Sequence, residues 1–128
     1  MNILLDTHTM LWFLEGDHQR LSEKSKNAIE AKVNSKFVSI ASLWEITIKI
    51  NIGKLKLQND LDELQNLINS NGFKMLNIQL THLKTNLELK LHHRDPFDRL
   101  IISQAITEDF HVVTKDDNFS LYPIKTIW

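Results

Sequence analysis

Short, nearly continuous apolar runs alternate along this chain with stretches of helical periodicity. NILLD, Asn2 to Asp6, predicts a buried strand ending in an acid, and THTMLWFLE predicts a helix stopped by Gly16. A polar helix is expected from Ser22 to about Val33, then a second strand from Lys36 to Ile40. In SLWEITIKINIG, Ser42 and Glu45 have the spacing of a capping box and Gly53 is placed to stop the helix, although its β-branched content is high for a helix. Asp60 and Glu63 repeat the box spacing before a helix ending at Gly72, and Phe73 to Ile78 predicts a third strand. A helix from Thr81, another opening on DPFD, a strand from Phe110 to Thr114, a turn over DDNF and an edge strand near IKTIW complete the series. Strands of this kind alternating with helices predict an α/β fold: a three-layer α/β/α sandwich around a central, mostly parallel twisted sheet. Residues 1–128 read as a single domain, because no repeat, low-complexity tract or linker-like segment interrupts the order.

In such sheets the carboxyl ends of the strands and the amino ends of the following helices share one rim, where ligands bind. Element order alone puts four acids there. Asp6 closes the first strand, Glu45 lies in the first turn after the second, Asp98 is the third residue of the DPFD helix, and Asp116 follows FHVVT. Each has a purely local explanation: Asp6 and Asp116 as N-caps, Glu45 and Asp98 as partners in capping boxes. Taken together the acids ask for more, because uncharged Ser, Thr or Asn would cap as well. Two carboxylates about 4 Å apart repel by on the order of 4 kcal/mol at an effective dielectric of 20, against a typical domain stability of roughly 5–15 kcal/mol. A divalent cation such as Mg²⁺ or Mn²⁺, which takes oxygen ligands, offsets that repulsion, and the chemistry that follows is metal-assisted attack of water on a phosphodiester.

Composition narrows the alternatives. With 15 Lys+Arg against 16 Asp+Glu the net charge is -1, so any contact with a polyanion has to be local. The absence of Cys removes disulfides, thiolate nucleophiles and Cys-based zinc sites, and suits a reducing cytoplasm. The apolar runs are too short for a membrane span and MNILLDTH lacks the charged start of a leader, so a cytoplasmic protein is expected.

MNILLDTHTMLWFL, SIASLWEITIKINIGKL, HHRDPFDRLIISQA and VVTKDDNF, in this order and at these spacings, resemble the PIN-domain ribonucleases, specifically the VapC toxin of VapBC toxin-antitoxin pairs. The resemblance spans essentially the whole chain. It implies Asp6, Glu45, Asp98 and Asp116 as a catalytic, metal-binding quartet, Mg²⁺- or Mn²⁺-dependent cleavage of RNA to a 5′-phosphate and a 3′-hydroxyl, and a cognate antitoxin protein as partner. The family spacing Asp-x-x-Phe favours Asp116, with Asp117 as the alternative fourth acid.

Around the quartet, Thr7 and Thr114 are placed to orient a carboxylate or make local backbone bonds. Asp95 reads as a cap or an outer ligand. Arg94 and Arg99 bracket DPFD, either to grip RNA phosphate or to pair with Asp95 or Asp98. His92 and His93 are read as solvated loop residues with substrate contact as the alternative, and His8 as support for the helix start. Lys49, Lys54 and Lys56 form either a local basic patch or a solvated face. Trp12 and Phe13 lie in an apolar run too wide for one helix face, which makes them candidates for contact with the antitoxin, with a second copy in a homodimer, or with the core. Two rivals carry less of the pattern. A phosphotransfer domain would need an acid pair or D-x-D at the first strand and has DTH instead; a non-catalytic PIN-like module binding RNA or protein would be expected to lose an acid, and all four stand.

Overall fold

A computed structural model describes residues 1–128. Its five strands form one sheet in the order β3-β2-β1-β4-β5. They are β1 (Asn2–Leu5), β2 (Ser35–Ser39), β3 (Phe73–Leu76), β4 (His111–Val113) and β5 (Thr126–Ile127), and every neighbouring pair is parallel. Six α-helices cover the sheet: α1 (Thr7–Leu14), α2 (Glu23–Glu30), α3 (Ile40–Asn51), α4 (Leu61–Ser70), α5 (Leu80–Glu88) and α6 (Pro96–Glu108). The expected three-layer sandwich is therefore present, with a wholly parallel sheet.

The period of two along the strands decides which side chain enters which layer. From β1, Ile3 and Leu5 join Met10, Leu14, Ile29, Ile46 and Ile68 on one face, while Leu4 turns to the other and meets Ile101, Ile102, Ala105 and Phe119. In β4, Val113 follows the first set and Val112 the second. Central β1 is thus dry on both faces and paired on both edges, which fixes the depth of the residue that follows it, Asp6. No helix is long and apolar enough to cross a membrane.

Several boundaries differ from those expected, and one matters for the site. Ile40 is the first residue of α3 rather than the last of β2, and the cap is Ser39, whose Oγ accepts from the Ala41 N–H at 3.0 Å. The Ser39 hydroxyl in turn donates to Gln104 Oε1 on α6 at 2.6 Å, a tertiary bond that no local pattern signals. The Ser42/Glu45 capping box therefore does not form, and Glu45 moves into the second turn. Gly53 does end the helix, at φ 76°. Capping at the other acids holds to the local rules: Asp60 accepts from the Glu63 N–H, and Asp95 from both Phe97 and Asp98 N–H groups ahead of Pro96.

Ser39→Ala removes the α3 cap and strands the buried Gln104 carbonyl at once. It is expected to lower stability by about 2 kcal/mol, visible as a reduced denaturant midpoint; a loss below about 0.5 kcal/mol would place the cap elsewhere.

Candidate metal centre

Four elements bring the acids to one rim. Asp6 continues β1, its N–H still bonded to Val113 O, and is 5% exposed. One oxygen, Oδ1, accepts from the Thr9 N–H at 2.9 Å and so caps α1; the other, Oδ2, accepts from the Thr114 hydroxyl at 2.6 Å across the sheet. Burial raises its pKa above the usual 3.8, against the opposing effect of these bonds. Thr114 also receives the Asp116 N–H on Oγ1 at 3.0 Å, so one threonine ties the first acid to the turn that carries the fourth. Asp116 caps that 3₁₀ turn through the Asn118 N–H, while Asp117 is exposed.

Glu45 is 3% exposed and reaches the rim from the second turn of α3. Its Oε1 lies 2.7 Å from Thr7 Oγ1, which also stands 2.9 Å from Ser42 Oγ, and its Oε2 lies 2.7 Å from Lys49 Nζ. Both threonines thus hold carboxylates, one of the two roles open to them. Lys49 pairs with Glu45, and together with Lys54, Thr7 and His8 it lines a small cavity of about 240 Å³ beside the acids; Lys56 lies instead in a groove between α3 and α4.

Asp98 occupies the third position of α6, as expected, but it does not cap the helix. Asp95 does so, and the Asp98 carboxylate is free to face the rim. Desolvation raises its pKa from 3.8 to about 8, assisted by the charges of Asp95, Asp6, Asp116 and Glu45 in that order. All three other members of the expected quartet therefore act on Asp98.

The flanking residues need correction. Arg99 is buried and neither pairs with an acid nor faces solvent for RNA: its guanidinium donates to the carbonyls of Leu89 (3.1 Å) and Lys90 (2.8 Å) and to the Tyr122 hydroxyl (3.1 Å). A fork of five donors suits such a cluster of carbonyls, and it pins the loop before α6. Arg94 remains exposed. His93 is not a solvated loop residue; its ring packs on Tyr122 and its Nε2 is buried 3.6 Å from Asp98 Oδ2. His92 is exposed with its ring edge on Tyr122, and His8 is exposed beside Trp12. Trp12 is half-buried against Trp128, and Phe13 stacks on His18 and meets Phe73 edge-on, so both rings already have partners within the chain. Only the adjacency of HH to DPFD and the lone Tyr in the sequence hinted at His93 and Tyr122.

The donor set fits a hard cation: it is all oxygen, and the only Lys or Arg paired with any of the four acids is Lys49 on Glu45. No three acids or histidines close into a ready-made cage.

Residues 3–125 match the family model of the PIN domain. A search of curated proteins returns no match. Among solved structures, VapBC2 from Rickettsia felis bound to a DNA fragment from its promoter is similar with TM-score 0.65 at 19% identity, over 98% of this chain and 97% of that one. VapBC-1 from nontypeable Haemophilus influenzae gives 0.67 at 14% identity, and DNA-bound VapBC from Salmonella typhimurium 0.64 at 15%, each over 98% of this chain and 96% of the other. At these identities the likeness is one of fold.

Since folded Asp98 holds its proton more tightly than the unfolded chain does, the stability linked to that proton is present below pH 3.8 and lost as pH rises toward 8. Asp98→Asn is expected to raise the Tm of metal-free protein at pH 8 by about 4 °C, the effect of roughly 1 kcal/mol in a domain of this size. The gain should vanish at pH 4. Calorimetry in EDTA across that range checks it, and a lower Tm at pH 8 would refute the burial and crowding of charge at Asp98.

Proposed function

The chain belongs to the PIN domain family, and from that premise we propose that it is a metal-dependent endoribonuclease, the VapC-type toxin of a toxin-antitoxin pair acting in the cytoplasm. One observation carries the reading: Asp98 lies under the combined charge of Asp6, Asp116 and Glu45, yet no Lys or Arg pairs with Asp6, Asp98 or Asp116. Asp6, Glu45, Asp98 and Asp116 would hold Mg²⁺ or Mn²⁺, one or two of them directly and the others through water. Bound there, the cation neutralises charge developing on the phosphodiester and lowers the pKa of water.

The protein's own part is positioning. Thr114 and the Thr9 N–H fix the orientation of Asp6, and Thr7 with Lys49 fixes that of Glu45, so the carboxylates cannot rotate away from one another. Lys115, which shares a small cavity of about 190 Å³ with Asp6, His8, Trp12 and Asp116, is placed to meet RNA phosphate, as are Lys54 and exposed Arg94. The likeness to VapBC structures and to a toxin-antitoxin complex from Klebsiella pneumoniae supports an antitoxin partner for this chain. The apolar groove of about 790 Å³ along α3 and the start of α4, lined by Ile48, Ile50, Leu55, Leu57 and Leu61, is the surface that suits it, with the half-buried Trp12 and Phe13 as further candidates. The lack of a ready-made cage is the observation that favours the alternative, a non-catalytic module binding RNA or protein.

Purified protein freed of antitoxin is expected to cut a mixed cellular RNA pool with Mg²⁺ or Mn²⁺ and to stop in EDTA. Asp98→Asn and Asp6→Asn should lower the rate by about 10²-fold or more, the equivalent of several kcal/mol of lost transition-state stabilisation. A metal-binding wild type that cuts no faster than Asp98→Asn would move the binding-module reading ahead.

A further inference from the structure

His93 stands on the loop before α6 with its two ring nitrogens in different surroundings. Nδ1 lies 2.8 Å from the Tyr122 hydroxyl. That hydroxyl already receives two N–H donors, the His93 backbone at 3.2 Å and Arg99 Nη1 at 3.1 Å. A phenol has one proton and two lone pairs. With both lone pairs taken by N–H groups that cannot accept, its proton has one direction left, toward Nδ1, which must then be the acceptor. A neutral imidazole whose Nδ1 accepts carries its proton on Nε2. That nitrogen is fully buried, has no hydrogen-bond partner, and lies 3.6 Å from Asp98 Oδ2. His93 is 12% exposed in its side chain and Asp98 18%, so water has little room between them.

We propose that His93 is a positioning residue for Asp98: Arg99 and Tyr122 lock it as the Nε2–H tautomer, and that N–H takes Asp98 Oδ2, leaving the other oxygen for the cation. The order of the relay follows from donor counting at Tyr122 and needs no change of charge on the histidine. Arg99 anchors it because two further donors are fixed on the carbonyls of Leu89 and Lys90. Ligating carboxylates held by outer hydrogen bonds typically lose 10–100-fold in metal affinity when the outer partner is removed. The proposal rests on the reading of Asp98 as a metal ligand.

Two measurements test it. Long-range proton–nitrogen NMR on metal-free protein with labelled histidine is expected to show the His93 proton on Nε2, and Tyr122→Phe to mix the two tautomers. A proton resident on Nδ1 in the wild type overturns the lock. Mn²⁺ affinity, read by electron paramagnetic resonance, is expected to fall by about 10-fold or more in His93→Phe. It should be retained largely in His93→Gln, whose amide can place a donor near the Nε2 position, and be insensitive to His93→Phe in an Asp98→Asn background. Equal losses in both backgrounds would mean that His93 serves packing only. Should His93→Phe fail to fold, His93→Gln and Tyr122→Phe carry the comparison, and unchanged affinity in Tyr122→Phe overturns the proposal. A wild type that binds Mn²⁺ at the same affinity as His93→Phe sinks the positioning role alone, whereas a wild type that binds none sinks the metal reading beneath it.

Discussion

Negative charge that cannot leave is the constraint around which this fold is arranged. A parallel sheet gathers strand ends and helix starts on one rim, and here the residues delivered to that rim are acids. Asp6 sits at the end of a strand with neighbours on both edges and core on both faces, so it cannot swing into solvent to relieve repulsion. The cost appears on Asp98, the more accessible partner, whose carboxyl is driven up to about 8 by burial first and then by the charges of Asp95, Asp6, Asp116 and Glu45. Neutral donors do most of the holding. Threonine hydroxyls and backbone N–H groups orient the carboxylates without cancelling their charge, and the one close Lys sits on Glu45.

Orientation without neutralisation distinguishes a site from a set of caps. A helix N-terminus stabilises an acid by its dipole and its free N–H groups. At α6 that role is divided between two residues: Asp95 accepts the N–H bonds, and Asp98 is left without a backbone partner. The same division recurs at the other end of the loop, where Arg99 spends its charge on carbonyls instead of on the nearby acids. A guanidinium one residue from Asp98 would otherwise be the simplest neutraliser available. Its diversion keeps the rim negative.

Element order and the positions of Asp6, Asp98 and Asp116 could be read from the chain, with Glu45 one turn out, because these follow from periodicities of two and 3.6 and from where strands stop. Asp95 and Asp60 as caps followed from local chemistry alone. What could not be read depended on partners far along the sequence. Ser39 caps α3 in place of Ser42 because Gln104, 65 residues away, takes its proton. Arg99 suggested an RNA contact or an ion pair, and His93 a solvated loop residue, because the Tyr122 that buries them lies on another segment, 23 and 29 residues on. Trp12 and Phe13 suggested a partner surface, and Trp128, His18 and Phe73 supply much of their contact from within the chain.

The bond between Thr114 and Asp6 spans 108 positions of the sequence. Because β1 lies in the middle of the sheet, it has to wait for β4 before its second edge is covered. Contacts of such separation form late and slowly during folding. During synthesis from the amino end, Asp6 is made long before the Thr114 that aligns it, and a chain broken off ahead of Thr114 has three of the acids but neither Asp116 nor the threonine that ties it to Asp6. Order of manufacture therefore sets order of assembly: the charged edge is complete only once the last part of the chain has joined the sheet.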